Sequence, residues 1–513
     1  MITEQNTAKN RPFSKEYENK IFTGQEYLNS LDDGREIWFN GERITNIAEH
    51  KAFRNSARSI ARFYDAMHDE RYQDDLLLVD KNGIVTHKFF APSYTPRELD
   101  EARKAIEVSQ RINYGWMGRT PEYKAAFMAH LQDNAGFYQK EFQQNAINWY
   151  KKTAEKCLFL NHVLVDPPVD RSKDRVNVKN VFVSVDKEDD KGIYVSGAKM
   201  VATGSVLTHG TFVGLTGNIT SMMEKDRDED MAVIFFADMN TPGLKMICRP
   251  SYEHDANSAY DAPLSSRYDE NDSVIIMDHA FIPWENVLVY RDIDRCKQFY
   301  KESGFFNRYN LQAAVRLAIK LEFCIGLFSE GTKASGTAQF RGVQAGTGEL
   351  IGIKNTLWSL TTSMVNDVVS CGTGVVPNAE VAAALRLYMS NCWDRVREIF
   401  ESVLGGAPVY TISSNKDLLN VELRPYIEQY YVGTGLEATD RIKLFKLIWD
   451  SMYSEFAGRH SLYERNYSGS QDLQRLDLLR QAMASKSLDK CTAMVQKCMD
   501  DYDINGWTNT WLT

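Results

Sequence analysis

Residues 231–248 read MAVIFFADMNTPGLKMIC. Two apolar runs, 231–239 and 243–248, flank Thr241-Pro242-Gly243. Proline pre-sets φ for a corner and glycine accepts a positive φ, so the stretch predicts two strands separated by a tight turn. The same texture extends both ways. Residues 181–185 (VFVSV) and 193–196 (IYVS) flank a polar turn at 186–192, and residues 273–277 and 281–290 add two more runs. Pro283 cannot donate to a ladder, which marks the last run as an edge or a bend. A β segment is therefore expected over roughly residues 160–290.

Outside it the period changes from two to between three and four. Residues 22–155 read mainly as helix. Thr95-Pro96-Arg97-Glu98 has the form of a capping box with proline in the first turn, and the helix it opens should run through Ile106 toward Ile112. Thr120-Pro121 repeats the signal before Tyr123. Beyond about residue 305, the segments 311–327, 379–404, 440–456 and 476–499 carry apolar residues at helical spacing, with Gly405-Gly406 as a stop. Long amphipathic helices on short connectors predict an antiparallel bundle. The order is α, then β, then α, an α+β class dominated by helix. Alternating βα units are missing, which argues against a doubly wound sheet.

The 513 residues carry 60 Lys plus Arg against 69 Asp plus Glu, a formal charge of −9. A phosphate-coating nucleic-acid binder needs a basic excess or stripe, so no nucleic-acid partner is expected. No apolar run is long enough to span a bilayer, and the polar N-terminus lacks a signal-peptide core, so a cytoplasmic protein without a membrane partner is expected. The eight cysteines form no CxxC pair and no metal site is expected; reduced thiols are the simpler reading.

There is no GxGxxG, Walker A, HExxH or GxSxG motif. Gly346-Thr347-Gly348 and Gly433-Thr434-Gly435 lack the third glycine and read as turns or helix ends. A redox enzyme with this sequence would draw reducing equivalents from elsewhere.

Four segments carry candidate chemistry. In residues 112–127, INYGWMGRTPEYKAAF, Arg119 precedes the helix and Tyr123 falls in its first turn, near the positive end of the dipole, where an anion is stabilised. The same spacing also describes an exposed helix start with a packed tyrosine. In residues 158–171, LFLNHVLVDPPVDR, His162 is the one histidine inside an apolar stretch and titrates near neutral pH, although a satisfied core histidine reads the same way. Arg171 suits a phosphate or a surface ion pair. In residues 197–210, GAKMVATGSVLTHG, Thr203 could donate a hydrogen bond to a flat ring, or belong to an ordinary strand and turn. In residues 456–471, FAGRHSLYERNYSGSQ, a glycine-bearing turn after a helix suits a cofactor backbone or an interhelical connection.

Taken together, the chain resembles the oxygenase component of two-component 4-hydroxyphenylacetate 3-monooxygenases, within the FADH2-dependent phenol and halophenol hydroxylases. The resemblance runs from Phe22-Thr23-Gly24 to Gly506-Trp507. It rests on Asp33-Gly34-Arg35-Glu36, Tyr114-Gly115-Trp116-Met117-Gly118-Arg119-Thr120-Pro121, Asn161-His162, Pro263-Leu264-Ser265-Ser266-Arg267, Ile282-Pro283-Trp284-Glu285-Asn286-Val287 and Asn466-Tyr467-Ser468-Gly469-Ser470-Gln471-Asp472.

The resemblance implies an acyl-CoA dehydrogenase-like fold: an N-terminal helical domain (1–155), a middle β-barrel-like domain (156–290) and a C-terminal helical bundle with a tetramerisation region (291–513), assembled as a homotetramer. It implies FAD, delivered as FADH2 by diffusion from a separate NADH:flavin reductase, with O2 as co-substrate acting through a C4a-hydroperoxyflavin. It also implies ortho-hydroxylation of a small phenol, 4-hydroxyphenylacetate or an analogue, to a catechol. By carry-over, Arg119, Tyr123 and His162 hold the phenol. FAD contacts fall on His162, Val163, Leu164, Pro168, Val169, Asp170, Arg171, Thr203, Ser470, Gln471, Asp472 and Leu473. Leu215 and Thr216 line the substrate loop at 214–225, whose GLTGNITSMMEK matches the 4-hydroxyphenylacetate enzymes poorly. A halophenol or a free or carrier-bound tyrosine-like substrate is therefore the alternative. A CoA dehydratase relative of the fold would need cluster-binding cysteines near the N-terminus, and none lies between residues 1 and 156. A non-catalytic scaffold would dispense with the Arg, Tyr and His trio.

Overall fold

A computed structural model describes residues 20–168, 181–466 and 468–508. Val233–Asp238 and Leu244–Cys248 are strands, and the corner between them is where the middle of the chain divides. Gly243 turns it at φ +86, against the Asp278 carbonyl, so no side chain fits there. The two strands then enter different sheets.

The six-stranded sheet runs in the order Glu42–Ile44, Glu36–Phe39, Leu244–Cys248, Asp272–Pro283, Gly192–Thr203, Ser184–Glu188. The four-stranded sheet runs Val287–Tyr290, Val233–Asp238, Gly210–Val213, Leu160–Val163. They are separate sheets and no barrel closes among the described residues. The two runs expected at 273–277 and 281–290 are one bulged strand, a short turn and a second strand. Pro283 ends the first of these, as its missing N–H requires. Glu36–Phe39, from the helical N-terminal segment, pairs in parallel with Leu244–Cys248, so the middle sheet recruits chain from before residue 155.

The helices follow the expected order with local differences. Pro96–Arg111 is capped by Thr95, but Glu98 reaches back to the Tyr94 N–H and not to Thr95. The 440–456 and 476–499 segments each break in two. The first becomes Ala438–Met452 and Glu455–Asn466; the second becomes Gln471–Ala484 and Ser487–Met499, with Lys486 at φ +59 between them. Arg341–Asn366 adds a long helix that absorbs Gly346 and Gly348. Phe305–Ala334 is buried on all sides over its first four turns because it runs between Pro96–Arg111 and Pro121–Met128 on one flank and Arg341–Asn366 and Ala379–Leu404 on the other. This helix and the Leu160–Val163 strand bound the site from two directions. No described helix is long and apolar enough to cross a membrane.

Candidate active site

Pro121–Met128 starts where Pro121 supplies the first helical φ, but the Thr120 hydroxyl does not cap it; that hydroxyl donates to Glu122. Tyr123 then faces inward, 2% exposed, with Arg119 just before the helix at 9%. The Arg119 guanidinium lies 4.0 Å from the Tyr123 ring centre and 5.1 Å from that of Tyr463. It donates to the Tyr463 hydroxyl at 2.8 Å, while its backbone N–H donates to Glu270. Two ring faces hold the cation by its attraction to their π electrons and leave its fork oriented.

His162 arrives on Leu160–Val163, in register with Phe212 on the parallel strand Gly210–Val213. Its ring stacks 5.8 Å from Tyr123 and meets the edge of Phe305 at 5.9 Å. The structure thus brings Arg119, Tyr123 and His162 into one cluster. Burial, then Lys124 and Arg119, drive the His162 pKa well below that of free imidazole, so the ring is neutral at neutral pH. Burial pushes the Tyr123 hydroxyl above the ordinary phenol value, against the pull of Arg119, so it stays a proton donor.

Leu215 joins the cluster indirectly. Its carbonyl accepts a 2.7 Å bond from Tyr300, whose ring lies 5.9 Å from Phe305. Thr216 caps the short helix Gly217–Ser221.

The flavin candidates divide. His162, Val163 and Leu164 lie on the strand beside the trio. Pro168 is exposed, and Val169, Asp170 and Arg171 lie outside the described residues. Thr203 corrects the sequence reading: its hydroxyl donates to Asp272 at 2.5 Å, so its proton is spent and it presents lone pairs. Asp272 is held by Arg459 at 2.8 Å and Arg249 at 2.9 Å, which keep its carboxyl far below the usual carboxylate range despite burial. The next residue, Gly204, turns at φ +71 and comes within 4.0 Å of the Arg119 Cβ once a Cβ is built on it. Thr203 therefore borders the trio. Ser470 caps Gln471–Ala484, and Asp472 points to solvent, paired with Arg475 at 2.9 Å. Gln471 and Leu473 are half-buried on the same turn. The link from this turn to the trio runs through Ser468, which neighbours Tyr309, whose ring is 6.4 Å from Tyr123.

Sequence reasoning missed Lys124, Tyr463 and Asp272. Lys124 carried a signal: a lone lysine inside AAF-type apolar context one residue after a candidate tyrosine. It is fully buried and its Nζ contacts His162 Nδ1. No group of His, Cys, Asp and Glu suited to a metal ion occurs among the described residues. A cavity of about 360 Å³ lined by Tyr252, Asp261, Trp449 and Phe456 does not include the trio.

Models of the 4-hydroxyphenylacetate 3-hydroxylase N-terminal and C-terminal regions match residues 23–289 and 296–496. The chain belongs to the 4-hydroxyphenylacetate 3-hydroxylase family. It is 51% identical over 490 residues to the pyoverdin chromophore biosynthetic protein PvcC of Pseudomonas aeruginosa, covering 95% of this chain and 97% of that protein. It is 47% identical over 494 residues to the 4-hydroxyphenylacetate 3-monooxygenase oxygenase component of the same organism, covering 95% and 94%. Among solved structures, the oxygenase component of 4-hydroxyphenylacetate 3-monooxygenase complexed with FAD and 4-hydroxyphenylacetate superposes with a TM-score of 0.85 at 26% identity, covering 93% of this chain and 99% of that one. An archaeal 4-hydroxybutyryl-CoA dehydratase shares the fold alone, with a TM-score of 0.80 at 18% identity. The architecture of this family member is thus the acyl-CoA dehydrogenase-like one expected, mainly helical with a β middle.

Proposed function

We propose that this chain is the oxygenase of a two-component monooxygenase that takes FADH2 from a separate NADH:flavin reductase and hydroxylates a 4-substituted phenol ortho to its hydroxyl. The convergence of a buried Arg119, a buried Tyr123 and a half-buried His162 in one cluster carries this reading.

The residues beside the trio fit a flavin. Val165 and Val201 are 49% and 61% exposed near the Val165–Met200 bridge, an apolar ledge on which a flat ring can rest. Thr203, with its own proton committed to Asp272, offers the acceptor that an N–H at the edge of a reduced ring requires. His162, Val163 and Leu164 supply strand backbone, and the Ser470–Leu473 turn is a candidate for the distal part of the cofactor. When bound, reduced FAD with O2 supplies an electrophilic oxygen, and the hard chemistry is the cofactor's.

The chain's own residues prepare the phenol. Arg119 places a permanent positive charge where phenolate charge develops. Tyr123, kept neutral by burial, donates to the same oxygen. His162, neutral at rest, takes the phenol proton. A deprotonated or strongly polarised phenol is electron-rich at the ortho carbon, and holding it against the cofactor supplies the orientation. Aromatic walls from Phe305 and Tyr309, with Phe212 beside Lys124, limit the access of stray water and protons.

4-Hydroxyphenylacetate or a close analogue is the leading substrate. The 51% identity to a pyoverdin chromophore biosynthetic protein favours a tyrosine-like biosynthetic phenol as the second reading. The Streptomyces globisporus relative, 42% identical and named for a carrier-bound chlorinated hydroxyphenyl substrate, extends it to carrier-bound and halogenated phenols. Apolar side chains left exposed on the C-terminal elements, Leu479, Met494, Ile504 and Trp507 among them, fit burial against further copies of the chain, as in the homotetramer that the resemblance implies. Supplying FADH2 with 4-hydroxyphenylacetate, tyrosine and chlorophenols, and identifying products and released halide, tests the function. A catechol from at least one phenol is expected; hydrogen peroxide alone from all of them contradicts it.

A further inference from the structure

Lys124 has no part in the mechanism above, yet it is the most unusual side chain in the site. It is fully buried, and among the described residues no carboxylate forms an ion pair with it. Its Nζ contacts His162 Nδ1, and Phe305 and Tyr123 wall it at 4.8 and 5.4 Å from their ring centres. Uncompensated ammonium groups are costly in such surroundings, and they resolve the cost by releasing a proton. Burial and then Arg119 accordingly drive Lys124 well below the ordinary lysine value.

With Nδ1 facing Lys124, Nε2 is the ring nitrogen left for a substrate. We propose that Lys124 is the final store for the phenol proton, reached through His162. The phenol O–H bond breaks as Nε2–H forms, and Nδ1–H breaks as an N–H bond forms on Nζ. The imidazole ends neutral with its proton on the other nitrogen, Lys124 ends as an ammonium and the substrate as a phenolate; no electrons are transferred to or from any group.

One argument favours Lys124 over His162 as the resting place: an aliphatic amine is intrinsically about four pK units more basic than imidazole. Tyr123, on its own helix, lies against both members of the pair, and the further tyrosines gathered around Tyr123 and Phe305 are Tyr300 on Ile293–Glu302, Tyr309 on Phe305–Ala334 and Tyr463 on Glu455–Asn466. All four are tyrosines pushed above the ordinary phenol value by burial, so none competes for the proton. Phe212 is what the neighbouring strand contributes. Glu122 points away, bonded to Thr120, Gln110 and Gln312.

The inference rests on the proposed phenol site, and the test separates the two. The probe is 4-nitrophenol, bound to the full chain with oxidised FAD present, at a pH below the probe's own pKa. Phenolate absorbance reports its ionisation. Calorimetry in buffers of different ionisation enthalpy counts protons released. The wild-type chain should bind the probe as phenolate and release no proton. Lys124→Met and Lys124→Arg should either bind it neutral or release one proton per phenolate formed, because neither side chain accepts one. Binding of phenolate by the wild-type chain with one proton released, or binding as neutral phenol, overturns the relay while the site stands. Absence of binding overturns the site reading and the relay with it. Nitrogen-labelled histidine gives an independent readout on the unmutated chain: Nδ1–H at rest and Nε2–H with phenol bound are expected, and Nε2–H at rest contradicts the relay.

Discussion

Arg119 and Tyr463 stand 344 residues apart in the chain and are joined by a 2.8 Å hydrogen bond. The bond ties the N-terminal helical segment to the C-terminal bundle at the guanidinium on which phenol recognition depends. Tyr463→Phe keeps the ring under the cation and removes the hydroxyl. A hydrogen bond to a charged group contributes about 1.5–3 kcal/mol, so hydroxylation should fall roughly 10- to 100-fold. FAD affinity should hold, and product and peroxide per reduced FAD consumed would measure the split.

Gly118 faces the same tyrosine. A Cβ there would strike the Tyr463 hydroxyl and ring. Gly118→Ala must displace Tyr463 or the Arg119 loop, and should reproduce the Tyr463→Phe defect with an added stability loss of about 1–3 kcal/mol. Thermal unfolding alongside turnover checks both; an alanine variant with wild-type turnover would remove the packing argument.

The α–β–α order was legible because it rests on local periodicity and on Pro and Gly punctuation, as in Thr241-Pro242-Gly243 and Gly405-Gly406. What periodicity could not show is partner choice. Two strands flanking one turn read as neighbours, yet Val233–Asp238 and Leu244–Cys248 pair in different sheets. The site divides in the same way. Arg119, Tyr123 and His162 stood out through the family resemblance, and their spacing alone also fitted an exposed helix start and a core histidine. Tyr463 and Asp272 matter through contacts with residues far along the chain, which no local pattern encodes; for Lys124 the apolar context was legible, but its His162 partner, 38 residues on, was not.

Thr203 is expected to discriminate between flavin redox states. Thr203→Val removes the acceptor and preserves shape, so affinity for reduced FAD should drop about tenfold, a single neutral hydrogen bond, with little change for oxidised FAD. Anaerobic titration of both forms measures the difference; equal losses would mean that Thr203 acts only through packing.

Beneath the site, Glu464 bridges two buried cations, Arg316 and Lys320, the latter at 2.9 Å. Both attract its carboxyl and hold its pKa at about 2, overcoming burial. A carboxyl depressed in the folded state stabilises fully above its unfolded value, so this contribution should fade as pH falls from about 4.5 toward 2. Glu464→Gln leaves both cations without their counter-charge and should cost about 3–5 kcal/mol in urea unfolding at neutral pH. In the variant, the acid-dependent loss across that window should shrink.

The central claim is that Arg119 holds the oxygen of a bound phenol. Arg119→Ala, supplied with FADH2 and the best phenol, tests it most directly through catechol formed per reduced FAD consumed. FAD binding should survive while catechol falls roughly 10²-fold, the scale of a lost electrostatic group, with peroxide rising in its place. Catechol at close to the wild-type rate would contradict it.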